Sequence, residues 1–140
     1  MPNSKGYVLI ELLMTGLAQL GLLAVVGIIG IQLAISVQRL SASREQAHFA
    51  AMRWDLENLA ARQAIYRADE NSYSSAFAEL HFAASEGVTV TLEALPSGWW
   101  GAATHGSLGT GEGCAIYVGA VPLPSGPVTP SRPGELACTD

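Results

Sequence analysis

From Tyr7 to Val37 the sequence carries a single charge, Glu11, in an otherwise uncharged and mostly aliphatic run. A helix needs about 20 residues to cross the hydrocarbon core of a bilayer, and this run is longer than that. A secretory signal peptide would be shorter and would close on a small-residue cleavage site, which is missing here. The run is therefore expected to stay with the mature chain as a helix, residues 7–37, that crosses a membrane or fills the core of an assembly.

The rest of the composition follows from that segment. Charged residues make up 14% of the chain and apolar residues 49%, against a soluble-protein norm of about 25% charged. Most of the apolar excess falls in the first third. The net charge is −5, and the seven basic residues are spread from Lys5 to Arg132. Phosphate binding needs clustered Lys and Arg, so nucleic acid is not an obligatory partner.

Charge does not orient the apolar run, because Lys5 lies on one side and Arg39 and Arg44 on the other. Cysteine usage is the better guide. Cys114 and Cys138 are either free thiols or a disulfide, and a disulfide needs an oxidising compartment. Their place around a Gly/Pro-rich tail favours the disulfide, which puts the C-terminal part outside the cytosol. Two cysteines without a second ligand pair cannot complete a tetrahedral zinc site.

Helical patterning continues beyond the apolar run. Between Arg39 and Ala68 there is no Pro or Gly, and Phe49, Met52, Leu56, Leu59 and Tyr66 recur at three- and four-residue spacing. That spacing draws one apolar stripe on a helix over 38–68, interrupted by Gln63. Arg44, Arg53, Glu57 and Arg62 fall on other faces. A continuous helix from Tyr7 to Ala68 would be about 90 Å long.

Residues 69–140 form the remaining region. "RADENSYSS" ends the helix with turn-forming residues. "AFAELHF" suits one further helical turn. "GVTVTLEAL" alternates like a half-buried strand, and "SGWWGAATH" and "CAIYVGAV" are the next strands. Five of the seven prolines lie in the tail "PLPSGPVTPSRPGELACTD", which reads as loop pinned at Cys138. The expected fold class is α+β: a long N-terminal helix packed on a small antiparallel sheet of three or four strands. Trp99 and Trp100 should point to opposite faces, one into the core and one exposed.

At its N-terminal end the chain resembles a known family. "KGYVLIELL" is similar to the class III signal of type IV pilins and pseudopilins, in which a basic leader ends in Gly, an aromatic residue follows, and Glu stands fifth in the mature chain. Gly6, Tyr7 and Glu11 occupy those places, and "YRADENSYSSAFAELHF", "GVTV" and "CAIYVG" resemble pilin heads more loosely. The resemblance implies a leader of residues 1–6, cleavage between Gly6 and Tyr7 by a prepilin peptidase, and N-methylation of Tyr7. It further implies insertion in the bacterial inner membrane as a single-pass precursor, then assembly through an inner-membrane platform into a surface filament with copies of itself or related pilins. Glu11 would pair with the Tyr7 amine of a neighbouring subunit. The alternative for Glu11 is a hydrated position at the membrane interface, favoured by the helix dipole.

Three features depart from the family pattern or add to it. Many pilins carry a proline in the apolar segment, whereas this chain has Gly16, Gly21, Gly27 and Gly30. Glycine weakens a helix interior by roughly 1 kcal/mol relative to Ala, so melting in a filament is still allowed, at a place the sequence does not fix. Gly30 and Ala34 suit close helix contact. Thr15 and Gln19 continue the four-residue spacing from Glu11 as a polar stripe.

No chemistry of catalysis or metal binding stands out. His48, His81 and His105 are scattered, Ser107, Thr110 and Ser125 lack a base with its orienting partner, and "GSLGTGEG" lacks the Lys of a phosphate loop. Two carboxylates in "ADEN" are weak grounds for a Ca²⁺ site. No cofactor, metal or catalytic residue is expected. The sequence leaves three readings: a type IV pilus subunit, a pseudopilin of type II secretion, and a monomeric membrane-anchored protein that captures a ligand through Trp99 or Trp100.

Overall fold

The computed structural model describes residues 39–140, and residues 44–140 form one compact unit. The leader 1–6, the apolar helix 7–37 and the residues Gly6, Tyr7 and Glu11 lie outside the described residues. Among the described residues no helix is long and apolar enough to cross a membrane.

Helix α1 covers residues 39 to 70. The apolar stripe is where the spacing puts it. Phe49, Met52, Leu56 and Leu59 are all but fully buried, and Tyr66 is half-buried. The helix stops two residues later than expected. Asn71 adopts a left-handed conformation at φ 54°, and its N–H still bonds the carbonyl of Arg67 at 2.9 Å. Asn is one of the few residues that accept this conformation at low cost, which makes it an effective terminator.

A single turn, α2 (Phe77–Leu80), follows, and then four strands: β1 (Val88–Leu95), β2 (Gly98–His105), β3 (Cys114–Gly119) and β4 (Ala137–Cys138). The sheet order is β1-β2-β3-β4 with every pairing antiparallel. The α+β class is therefore observed, with a helix packed on a four-stranded sheet. The tail, expected as loop throughout, supplies β4.

Helix and sheet meet across a core of Phe49, Met52, Leu56, Leu59, Leu80, Trp99, Ala103, Cys114 and Ile116. Gly101 is the point of closest approach. A Cβ added there would lie 3.0 Å from Leu59 Cδ2 and 3.5 Å from Leu56 Cδ2. The absent side chain lets the helix settle onto the middle of β2. In β1 the burial alternates, with Val88 buried, Val90, Leu92 and Ala94 half-buried, and Thr89, Thr91 and Glu93 exposed.

Strand β2 corrects one expectation. Trp99 and Trp100 do point to opposite faces, but both are buried, at 1% and 6% exposure. The outer face of the sheet carries a second apolar cluster of Trp100, Ala102, Ala115 and Tyr117, packed with Val121 and Val128 of the proline-rich tail. The indole Nε1 of Trp100 donates to Glu93 Oε2 at 3.1 Å, across a directly paired position of β1 and β2. Val121 and the tail at Gly126 and Val128 fold back over the face that sequence alternation assigns to solvent.

The tail is closed by the Cys114–Cys138 disulfide, whose residues are direct partners in the β3–β4 register. Next to it, Thr139 N–H donates to the Gly113 carbonyl at 3.0 Å and Gly113 N–H donates to Thr139 Oγ1 at 3.1 Å. Arg53 of α1 then clasps both carboxylate oxygens of Asp140, at 2.6 and 2.7 Å. This pair is partly solvated, so it contributes at most about 1 kcal/mol. The disulfide closes a loop with a sequence separation of 24. Chain-entropy reasoning assigns such a loop roughly 3.5 kcal/mol. Cys138→Ser is expected to lower the stability of the head by about 3 kcal/mol and to open the 120–136 segment to protease while α1 stays helical. Denaturant melts and limited proteolysis of the full chain, followed by circular dichroism, would check both parts.

Candidate functional site

Two buried polar side chains of α1 decide how the connection 71–87 lies against the helix. Gln63 is fully buried, and its amide satisfies both backbone groups of Ser74: Nε2 donates to the Ser74 carbonyl at 2.6 Å, and Ser74 N–H donates to Oε1 at 3.1 Å. The apparent break in the apolar stripe is thus a bidentate anchor for a loop. A buried backbone pair needs partners, and an amide carries one donor and one acceptor group at the right spacing to supply them.

Asp55 does the same one helical stretch earlier. It is 2% exposed and accepts from Ser85 N–H and Ser85 Oγ, both at 2.8 Å. Glu79 completes the set from α2: its Oε2 accepts from Ser74 Oγ and, at 3.4 Å, from Tyr66 Oη. Reduced solvation first, then the carboxylates of Glu79 and Glu70, raise the Tyr66 phenol above its ordinary pKa. The phenol therefore keeps its proton and its donor role through neutral pH.

The residues singled out from sequence are distributed as follows. Cys114 and Cys138 are joined. His48 and His105, far apart in sequence, stack with ring centroids 3.9 Å apart, and His105 Nδ1 accepts from Ser107 N–H at 3.0 Å. His81 is exposed, at the left-handed residue that ends α2. Ser107, Thr110 and Ser125 are exposed, as are Asp69 and Glu70. Among the described residues no group of three or more His, Cys, Asp or Glu could hold a metal ion.

A shallow cavity of about 330 Å³ opens beside the end of α1, lined by Ala60, Ala64, Arg67, Tyr73, Trp99 and Val118. Arg67 lies over the Tyr73 ring at 4.8 Å, so its polar wall is already engaged. Neither this cleft nor the histidine pair offers a nucleophile with a base, and the tryptophans named as ligand contacts are buried.

Three α1 residues escaped the sequence reading: Asp55, the anchoring role of Gln63, and Trp54, which is 66% exposed. Asp55 sits three residues after Met52 and one before Leu56, inside the inward face, and that position was the available signal. No protein-family model matches the chain, and no curated protein matches it either.

The stripe pattern alone would favour Leu at position 63. The geometry predicts the opposite. Gln63→Leu should destabilise the head by about 2–3 kcal/mol, since it strands the Ser74 N–H and C=O, and a denaturant melt beside Gln63→Glu would measure it.

Proposed function

We propose that the chain is a structural subunit of a type IV pilus, major or minor, processed from an inner-membrane precursor and assembled into a helical surface filament. The observation that carries this reading is the sequence of Lys5, Gly6, Tyr7 and Glu11 at the head of an uncharged run long enough to cross a membrane. Cleavage after Gly6 would place a new amine on Tyr7, four residues before the carboxylate. An unpaired carboxylate in an apolar core is costly, and one met by the amine of the next subunit is far less so. The pair would then set register between subunits.

The described residues support the reading from the other end of the chain. An amphipathic helix that packs one stripe on a small antiparallel sheet, with a disulfide-closed tail, is the head such a subunit requires. The disulfide suits an exported domain. The runner-up is a pseudopilin of a type II secretion system, which shares the same N-terminal chemistry. The monomeric ligand-capture reading is weakened by the burial of Trp99 and Trp100.

Glu11→Ala should leave folding of the head and membrane insertion intact, because Glu11 precedes the first core residue, Phe49, by 38 positions in the sequence and is not among the residues that pack it. Insertion should if anything become easier, since a carboxylate at the bilayer centre costs up to about 3 kcal/mol. What is lost is the partner of the Tyr7 amine. The expected outcome is processed, membrane-resident monomer with few or no filaments, and Glu11→Asp in between. Electron microscopy of sheared material with immunoblots of membranes would show this, and normal filament yield from the Ala variant would overturn the pairing.

A further inference from the structure

Strand β1 is an open edge of the sheet. It pairs with β2 on one side, and among the described residues no strand pairs with it on the other. Its hydrogen-bond phase follows from one contact. Gly106 N–H donates to the Gly87 carbonyl at 3.0 Å, one step beyond the Val88–His105 partners, so residues 87 and 106 form a bonded pair. Bonded and non-bonded pairs alternate along an antiparallel ladder. Thr89, Thr91, Glu93 and Leu95 therefore bond β2, while Val90, Leu92 and Ala94 turn their N–H and C=O groups away from it. The side chains of these three lie on the helix side of the sheet, only half-buried against the core.

Sheet edges are ordinarily guarded by shortness, by Lys or Pro, or by a bulge. β1 runs for eight residues in unbroken register, with no Pro, Lys or Arg. Its one charge, Glu93, is held by Trp100 Nε1 of β2 at 3.1 Å. The opposite edge is treated differently: β4 has two residues and is tied to β3 by the disulfide. One edge is shut and the other is left as a template.

These features specify the occupant. Outward N–H and C=O groups at every second residue are matched by another extended backbone. The row Val90, Leu92 and Ala94 calls for apolar side chains beside it, and the exposed row Thr89, Thr91 and Glu93 for polar ones. A second copy does not fit. Two β1 strands paired antiparallel would be related by a two-fold axis through the sheet, so their α1 helices would run in opposite directions. Residues 7–37, read as a membrane segment, give every copy the same direction; this step alone rests on that reading. β4 of another copy is too short to match the ladder. We propose that β1 takes up an extended segment of a different protein as an added antiparallel strand, with apolar residues opposite Val90, Leu92 and Ala94 and polar residues between them.

Residue-resolved hydrogen exchange by NMR, on the full chain in detergent micelles, tests this with a capped synthetic peptide of alternating Val and Thr. Without peptide, the amides of Val90, Leu92 and Ala94 should exchange fast and those of Thr89, Thr91 and Glu93 slowly. Saturating peptide should slow the first three by about tenfold or more. In an added antiparallel strand the Val residues face the helix side and their N–H groups point at β1. Peptide N-methylated at every Val should therefore have no effect, while peptide N-methylated at every Thr should still protect. No protection by the plain peptide, or equal protection by the Val-methylated one, would overturn the proposal. So would protection of Val90, Leu92 and Ala94 before peptide is added. If that protection falls on dilution, the occupant is a second copy; if it persists, the occupant is this chain itself. None of these readouts depends on filament formation, so the filament reading stands or falls separately.

Discussion

The close seating of α1 on the middle of β2 is the contact on which the rest of residues 44–140 depends. It requires that Gly101 have no side chain, because Leu59 and Leu56 occupy the space a Cβ would need. Burying Phe49, Met52, Leu56 and Leu59 together offsets the ordering of a helix that has no other partner inside the head. Once the helix is seated, Gln63 and Asp55 are carried into the interface, where only hydrogen-bonded polar groups are tolerated. Each is met by a serine of the 71–87 connection, and the path of that connection is set.

The outer face of the sheet is organised by a different device. Four strands with helix on one side would leave Trp100, Ala102, Ala115 and Tyr117 facing water. The proline-rich tail covers them, held at its far end by the Cys114–Cys138 disulfide and by the Arg53–Asp140 pair. Arg53 thus ties the tail back to the helix on the far side of the sheet. The tail lacks the regular hydrogen bonding that would hold it by itself, apart from the two residues of β4, so covalent closure carries most of the load.

Local patterns were legible in the sequence, and long-range partners were not. The three-and-four spacing of α1, the alternation in β1 and the places of β2 and β3 could all be read, because burial imposes a period on neighbouring residues. Trp100 could not be placed, since its cover comes from residues more than twenty positions later, in a segment without periodicity. Gln63 read as a flaw for the same reason: its partner is the backbone of Ser74, and no side-chain pattern announces a backbone partner. For the candidate site proper, Gly6, Tyr7 and Glu11, the sequence is the whole of the basis, and the head adds only its suitability for export and packing.

The reading of the whole chain turns on whether Tyr7 is the first residue of an assembled subunit. Intact-protein mass spectrometry of subunits from sheared surface filaments measures this directly. The predicted result is a chain that starts at Tyr7, carries one added methyl group on its amine and retains the Cys114–Cys138 bond. A subunit found in filaments with residues 1–6 still attached, or filaments from expressing cells that lack this chain altogether, would contradict it.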